Sequence, residues 1–257
     1  MKNGFFIFDT MKKLAHVLSY PFSVLFYLLF GLNLILFHPI QWICLNVFGY
    51  QAHKSSVDYF NWFIMRCLNI LGTTFDVTIR TSIPNNVPII IASNHQSMWD
   101  IPPLIWYLRK YHPKFISKIE LGKGIPSISF NLKYGGSVLI DRKDPKHATQ
   151  QITKIAKYIS RHKRSVVIFP EGTRSRDGVP KPFKRRGLQT LFEHAPDAYI
   201  LPVSVSNSWK LQRYGMFPMP LGIRLKFVVH PAIKVGDHAS AALIETIESQ
   251  IKSEIVH

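Results

Sequence analysis

An imidazole and a carboxylate five positions apart, His95 and Asp100, stand in the segment Asn94-His95-Gln96-Ser97-Met98-Trp99-Asp100. A neutral imidazole takes the proton of a hydroxyl near neutral pH. A carboxylate on its other ring nitrogen fixes the tautomer and stabilises the cation that forms. Spacing alone says little, since a chain of this composition holds such a pair about 0.4 times by chance. This one holds two, and context separates them. His53 and Asp58 lie in the polar stretch 51–58 with no strand ahead of it, which reads as a solvated linker. His95 follows the apolar run Val87-Pro88-Ile89-Ile90-Ile91, which suits a strand buried on both faces with its proline near the first residue. A strand handing over to a helix can present a catalytic base. Asp100, followed by Ile101-Pro102-Pro103, also reads as a helix N-cap with proline in the first turn, and both readings stay open.

Three further loops carry unusual residues after apolar runs. Ile140-Asp141-Arg142-Lys143 puts a guanidinium at a strand end, where its rigid fork suits phosphate or carboxylate; a solvent-facing helix start capped by Asp144-Pro145 is the plain alternative. Ser165 to Phe169 runs into Pro170-Glu171-Gly172-Thr173-Arg174-Ser175, and residues 174–186 carry six bases against the single acid Asp177. Such a run is often a solvated face, yet it also suits an anionic headgroup at a membrane surface. Ile200 to Val205 is apolar strand, and Pro202 within it argues for an edge position or a bulge. Gly122-Lys123-Gly124 and Gly135-Gly136 lack the pattern of a phosphate-cradling loop, and Ser97 stands outside any nucleophile-elbow pentapeptide. No further His or Cys sits at ligand spacing from His95 and Asp100, so no metal is expected.

The elements that must position these loops follow from patterning. A chain of 257 residues with a formal charge of +17 and 47% hydrophobic residues is folded and calls for a polyanionic partner. The partner expected is an anionic membrane surface and not nucleic acid, because residues 14–53 contain no Asp, Glu, Lys or Arg and are rich in Leu, Phe and Ile. Pro21, Gly31 and His38-Pro39 interrupt that stretch, and Phe22 to Phe37 is short for a span of about 20 residues. Positive charge on both flanks favours a helical hairpin that dips in and returns, at the cytoplasmic face of the inner membrane, with a single span as alternative. Cys44 and Cys67 lie in apolar surroundings and read as inert thiols. Residues 1–55 are then a membrane-associated helical segment and 56–257 a second domain.

Within that domain a helix is expected over 59–71, a strand over 75–80, a turn over 82–86 and a strand from Val87. Then come a helix over 100–110, a strand at 114–117, a helix near 125–134, a strand at 137–140 and a helix over 145–162. The rest reads as a strand at 165–169, a helix at 186–194, strands at 199–205 and 222–230, and a closing helix over 239–255. This alternation predicts an α/β fold with a mostly parallel central sheet flanked by helices, whose chemistry gathers beyond the strands' carboxyl ends.

Taken in order, Asn94-His95-x4-Asp100, Gly136-Ser-Val-Leu-Ile-Asp141-Arg142, Phe169-Pro-Glu-Gly-Thr-Arg174-Ser175 and Leu201-Pro202-Val203 resemble the four blocks of the glycerolipid acyltransferases, over roughly 87–205. Within that family the likeness is greatest to the 1-acylglycerol-3-phosphate acyltransferases. Lys118-Ile-Glu120-Leu121 also looks familial, whereas Val138-Leu139 stands where the family more often has an aromatic. The resemblance implies transfer of a fatty acyl group from coenzyme A or acyl carrier protein to a lysophospholipid hydroxyl, with these thioesters as co-substrates and no resident cofactor. It implies His95 as general base and Asp100 as its orienting partner. Arg142, Glu171, Gly172, Thr173 and Arg174 would bind the phosphate headgroup, with Asn94 and Lys118 beside them. A lyso-aminolipid acceptor, a thioesterase and a non-catalytic basic membrane-binding protein are the competing readings.

Overall fold

The computed structural model describes residues 2–80, 82 and 84–255, and for residues 2–10 and 12 the backbone alone. Eight strands form one sheet: β1 (Thr74–Ile79), β2 (Ile89–Ser93), β3 (Pro113–Lys118), β4 (Val138–Ile140), β5 (Ser165–Ile168), β6 (Tyr199–Ser206), β7 (Arg224–Val229) and β8 (Ile233–Lys234). Their order is β1-β7-β6-β2-β5-β3-β4, with β8 pairing the start of β6. The block β6-β2-β5-β3-β4 is parallel throughout, and β7 joins it antiparallel with β1 parallel to β7. The mostly parallel sheet read from the alternation is therefore what forms.

Both faces of the sheet are covered, which is why β2 and β5 are apolar without alternation. Ile90, Ala92, Val166, Ile168 and Ile200 face α5 (Pro145–His162), α6 (Arg185–His194) and α7 (Ser240–Ser253). Ile89, Ile91, Val167, Leu201 and Val203 face the opposite layer, which holds α1 (Lys2–Val47), α2 (Tyr50–Ile70), α3 (Ile101–Tyr107) and α4 (Ile128–Tyr134). The expected turn over 82–86 includes Ile83, which lies outside the described residues.

The N-terminal reading needs correction. α1 is one helix of 46 residues that runs through both Pro21 and Pro39. An interior proline costs a helix about 3 kcal/mol, and docking offsets that here. Ser23 Oγ accepts from Met219 N–H at 2.7 Å, Asn33 Nδ2 donates to Phe60 O, Ser127 Oγ donates to Leu34 O, and His38 Nδ1 accepts from Ser127 N–H. The chain reverses only at Phe48-Gly49, where Gly49 takes φ +80, and α2 packs back along α1 with Phe37 against Phe60 and Phe63. The hairpin is therefore α1 with α2, and the 55/56 boundary falls inside α2. Phe26, Phe60 and Trp99 share one core with the sheet. The stretch 51–58, expected as a solvated linker, is the start of α2, with His53 and Asp58 buried beside Phe130 and Asn131 of α4 and the start of β3.

Pro202 also sits elsewhere than expected. It lies opposite Ala92 in the middle of the sheet, not at an edge. On its other side β6 changes partner, from β8 at Tyr199 and Ile200 to β7 from Val203 onward, so the missing N–H falls in a gap of the ladder.

Candidate active site

Parallel pairing brings four strand ends to one edge. Ala92 is level with Ile168, Phe115 with Val167, and Lys118 with Ile140. The segments that leave there are Asn94 to Asp100, Lys118 to Glu120, Asp141-Arg142, and Phe169 to Ser175.

His95 Nδ1 and Asp100 Oδ2 are 2.8 Å apart. The same oxygen accepts from Gln96 N–H at 2.8 Å and Ser97 N–H at 3.0 Å. The hydroxyl of Ser208 donates to the other oxygen, Oδ1. Asp100 is completely buried, while the His95 side chain keeps 12% exposure. With Nδ1 engaged, Nε2 is the ring nitrogen left for a substrate proton. The N-cap reading of Asp100 does not hold for α3, since no α3 backbone N–H reaches its side chain. Its carboxylate folds back on the loop instead, closing a reciprocal cap with Ser97, whose Oγ accepts from Trp99 N–H. Trp99 in turn packs edge-on against Phe26 and Phe30, so α1 buttresses this loop directly.

The segment after β5 grips His95 from the other side. Glu171 Oε1 accepts from His95 N–H at 2.8 Å, and the His95 carbonyl accepts from Ser175 N–H at 2.8 Å and Ser175 Oγ at 3.1 Å. Phe169 stacks on the imidazole with ring centroids 4.0 Å apart. Gly172 takes φ +72 in the intervening turn, and a Cβ there would crowd the Lys184 side chain at 3.2 Å, so glycine suits it on both counts.

The residues expected to meet a headgroup divide into two sets. Arg142 and Arg174 lie close enough for each to bear on this site's charge. Burial, and then the Arg174 charge against the opposing pull of Glu120, lowers the Arg142 pKa. Burial also lowers that of Arg174, which the Asp100 charge partly restores. Among the described residues neither guanidinium is ion-paired with a carboxylate. Lys118 is exposed at the end of β3, beside the strand that leads to Arg142. These three cations can receive an anion.

Asn94 and Glu171 cannot serve in the same way. The Asn94 amide is fully buried, accepting from Val205 N–H at 2.7 Å and donating to Val205 O at 2.8 Å, which laces β2 to β6. Both Glu171 oxygens are engaged, by His95 N–H and by Lys181 N–H, each at 2.8 Å, and burial raises its pKa. The Thr173 hydroxyl accepts from Lys181 Nζ at 2.9 Å. These residues shape the loop, and Gly172 contributes its turn. Phe169, Gln96, Lys181 and Ser208 are parts of the site that sequence reading gave no role. Phe169 was legible as an aromatic at a strand end, whereas nothing in the sequence marks Ser208.

The decoy pair differs in kind. Asp58 takes the Lys54 ammonium, and no bond joins it to His53. Burial first, and then the Lys114 charge, depresses the His53 pKa to about 4. Lys114 stands at the beginning of β3, so this cluster lies at the end of the sheet away from His95.

Fold and site together define an α/β protein with a histidine–aspartate dyad and two arginines at the carboxyl edge of a mostly parallel sheet. The Acyltransferase family model matches residues 74–206, just over half of the chain, and the chain belongs to this family. It is 37% identical to the 1-acyl-sn-glycerol-3-phosphate acyltransferase of Helicobacter pylori over 134 residues, 49% of this chain and 54% of that protein. The chain thus spans about half the length of that relative. It is 29% identical to the protein of the same name from Borreliella burgdorferi, over 72% of this chain and 73% of that one. The crystal structure of the 1-acyl-sn-glycerophosphate acyltransferase PlsC from Thermotoga maritima matches with TM-score 0.75 at 22% identity, over 94% of this chain and 95% of that one. That likeness shows the fold.

Proposed function

We propose that the protein transfers a fatty acyl group from an acyl thioester, borne by coenzyme A or acyl carrier protein, to the sn-2 hydroxyl of 1-acylglycerol-3-phosphate, giving phosphatidic acid. The observation that carries this reading is the 2.8 Å His95 to Asp100 contact, with Nε2 left free, on the same sheet edge as Arg142, Arg174 and Lys118. Relatives named for this reaction, and the family to which the chain belongs, support the acceptor.

The chemistry follows from these groups. The acceptor oxygen bonds to the thioester carbonyl carbon as its proton passes to His95 Nε2, and Asp100 stabilises the imidazolium. The carbonyl re-forms as the C–S bond breaks, and the thiolate takes the proton back, leaving an ester and a free thiol. The substrate hydroxyl is the nucleophile, so no acylated side chain is required. Arg142 and Arg174, with Lys118, hold the phosphate and set the hydroxyl's reach.

The same reading places the site at an anionic membrane, on the cytoplasmic face of the inner membrane. α1 is inside out for a helix in water. Ser19, Ser23, Asn33 and Gln41 face the protein, while Leu14, Val17, Leu28, Leu32, Ile35 and Leu36 face outward. Residues 13–47 are long and apolar enough to cross a bilayer, with mean hydropathy 1.9, and only 17% of their most apolar stretch is buried. Outward leucines on so long a helix suit lipid contact. The test is acyl transfer from labelled acyl-CoA and acyl carrier protein to a panel of lysolipids by purified protein. Labelled phosphatidic acid is expected. Free fatty acid alone, or transfer only to an acceptor without phosphate, would overturn the reading.

A further inference from the structure

Asp100 is a buried carboxylate with unequal oxygens. Oδ2 meets three donors, His95 Nδ1, Gln96 N–H and Ser97 N–H, all from its own loop. Oδ1 meets one, the hydroxyl of Ser208, more than a hundred residues away. Asp100 and Ser208 are both fully buried, so water does not replace that donor. A buried carboxylate oxygen stripped of its donor is costly, and the charge on it is held less firmly.

Ser208 is itself fixed from both sides. It opens the turn 208–212, directly after β6 and the left-handed Asn207. Its N–H donates to Gln96 Oε1 at 3.1 Å, and its Oγ lies 3.5 Å from the same atom. Gln96 neighbours His95, is 1% exposed, and reaches Gly178 O with its Nε2 at 3.4 Å. The loop that carries the base is thus latched to the end of β6 through two contacts, one to the carboxylate and one to the neighbouring amide.

We propose that Ser208 is a positioning residue of the acyl-transfer site, whose hydroxyl holds the Asp100 carboxylate turned so that Oδ2 faces His95. The proposal rests on the general-base reading of His95 given above. Ser208 touches neither substrate nor the reacting atoms and acts through Asp100. The other charged groups facing this pair are Arg174, which acts on Asp100, and Glu171, which holds the His95 backbone.

The test uses the full chain in detergent micelles and compares Ser208→Ala with Ser208→Thr, which keeps a hydroxyl. In Ser208→Ala the acid limb of the kcat/KM profile should be displaced by about one unit, the amount expected when a dyad loses one hydrogen bond to its charged member. Ser208→Thr should restore the limb. A uniform fall in rate with an unmoved limb would show a merely structural role and overturn the proposal. A second readout is independent of the acceptor. In 15N-histidine-labelled protein the His95 ring signals, assigned by their absence in His95→Ala, should show an Nδ1–H tautomer that Ser208→Ala perturbs. Unperturbed His95 signals in the alanine variant would also sink the idea. If wild-type protein carries the tautomer signature and responds to Ser208→Ala but does not acylate lysophosphatidate, the acceptor assignment fails and the positioning role stands.

Discussion

Glu171 and His95 are joined through the main chain: a Glu171 carboxylate oxygen accepts from the His95 N–H at 2.8 Å, and its partner oxygen accepts from Lys181 N–H. The acid that the family resemblance places beside a headgroup instead clamps the base's own peptide. Glu171→Ala should therefore lower kcat and cost stability on the order of 2 kcal/mol, the usual scale for hydrogen bonds to a charged acceptor, with little change in KM for lysophosphatidate. Steady-state kinetics with denaturant melts of the same variant check this. A large KM increase at unchanged kcat would return Glu171 to the headgroup.

His95→Ala removes the one ring nitrogen that, among the described residues, a buried carboxylate aligns at this sheet edge. Acyl transfer should fall by about 10²–10⁴-fold, the usual contribution of a general base. Flotation with anionic vesicles should not change, because α1 is untouched. Turnover near the wild-type rate would remove the mechanism.

The Arg174 charge bears on Arg142 against the opposing pull of Glu120, and among the described residues neither guanidinium is ion-paired with a carboxylate, which leaves both available to a phosphate. Arg142→Ala should raise KM for lysophosphatidate by about tenfold or more while KM for the thioester stays within a factor of about two. Equal effects on both substrates would exclude a headgroup role.

The buried cluster at the far end of the sheet yields a stability prediction. His53 and His112 are each depressed to about 4, by burial first and then by Lys114 for His53 and by Lys54, Lys114 and Arg164 for His112. Unfolded histidine titrates near pH 6.5, so between about 4 and 6.5 the unfolded chain binds more protons than the folded one. Stability from these rings is complete above that window and is lost as pH falls through it, on the order of 2 kcal/mol each. Melting temperature measured from pH 4 to 7 should climb less steeply in His53→Gln/His112→Gln than in wild type. Parallel curves would refute the assignment.

The parts of this molecule legible in sequence are those whose physics is local. β2 and β5 announced themselves as unbroken apolar runs, and the segments leaving them held the unusual residues. Pairing of His95 with Asp100 was legible because a strand preceded it. The same spacing at His53 and Asp58 reads as solvated because what buries those side chains, Phe130 and Asn131 of α4 and the start of β3, is distant in sequence. Pro21 and Pro39 misled for the same reason: local propensity argues for breaks, and contacts from Met219 and Ser127 override it. Asn94 looked available because nothing nearby reveals that Val205 takes both ends of its amide.

The outward leucines and isoleucines of α1 have a kinetic corollary on the lipid-contact reading. An enzyme resting in one leaflet meets its acceptor by lateral diffusion, so the quantity that sets its rate is the mole fraction of lysolipid in that sheet. Adding inert phospholipid at constant total substrate should slow the reaction, as diluting a solute in a two-dimensional solvent would.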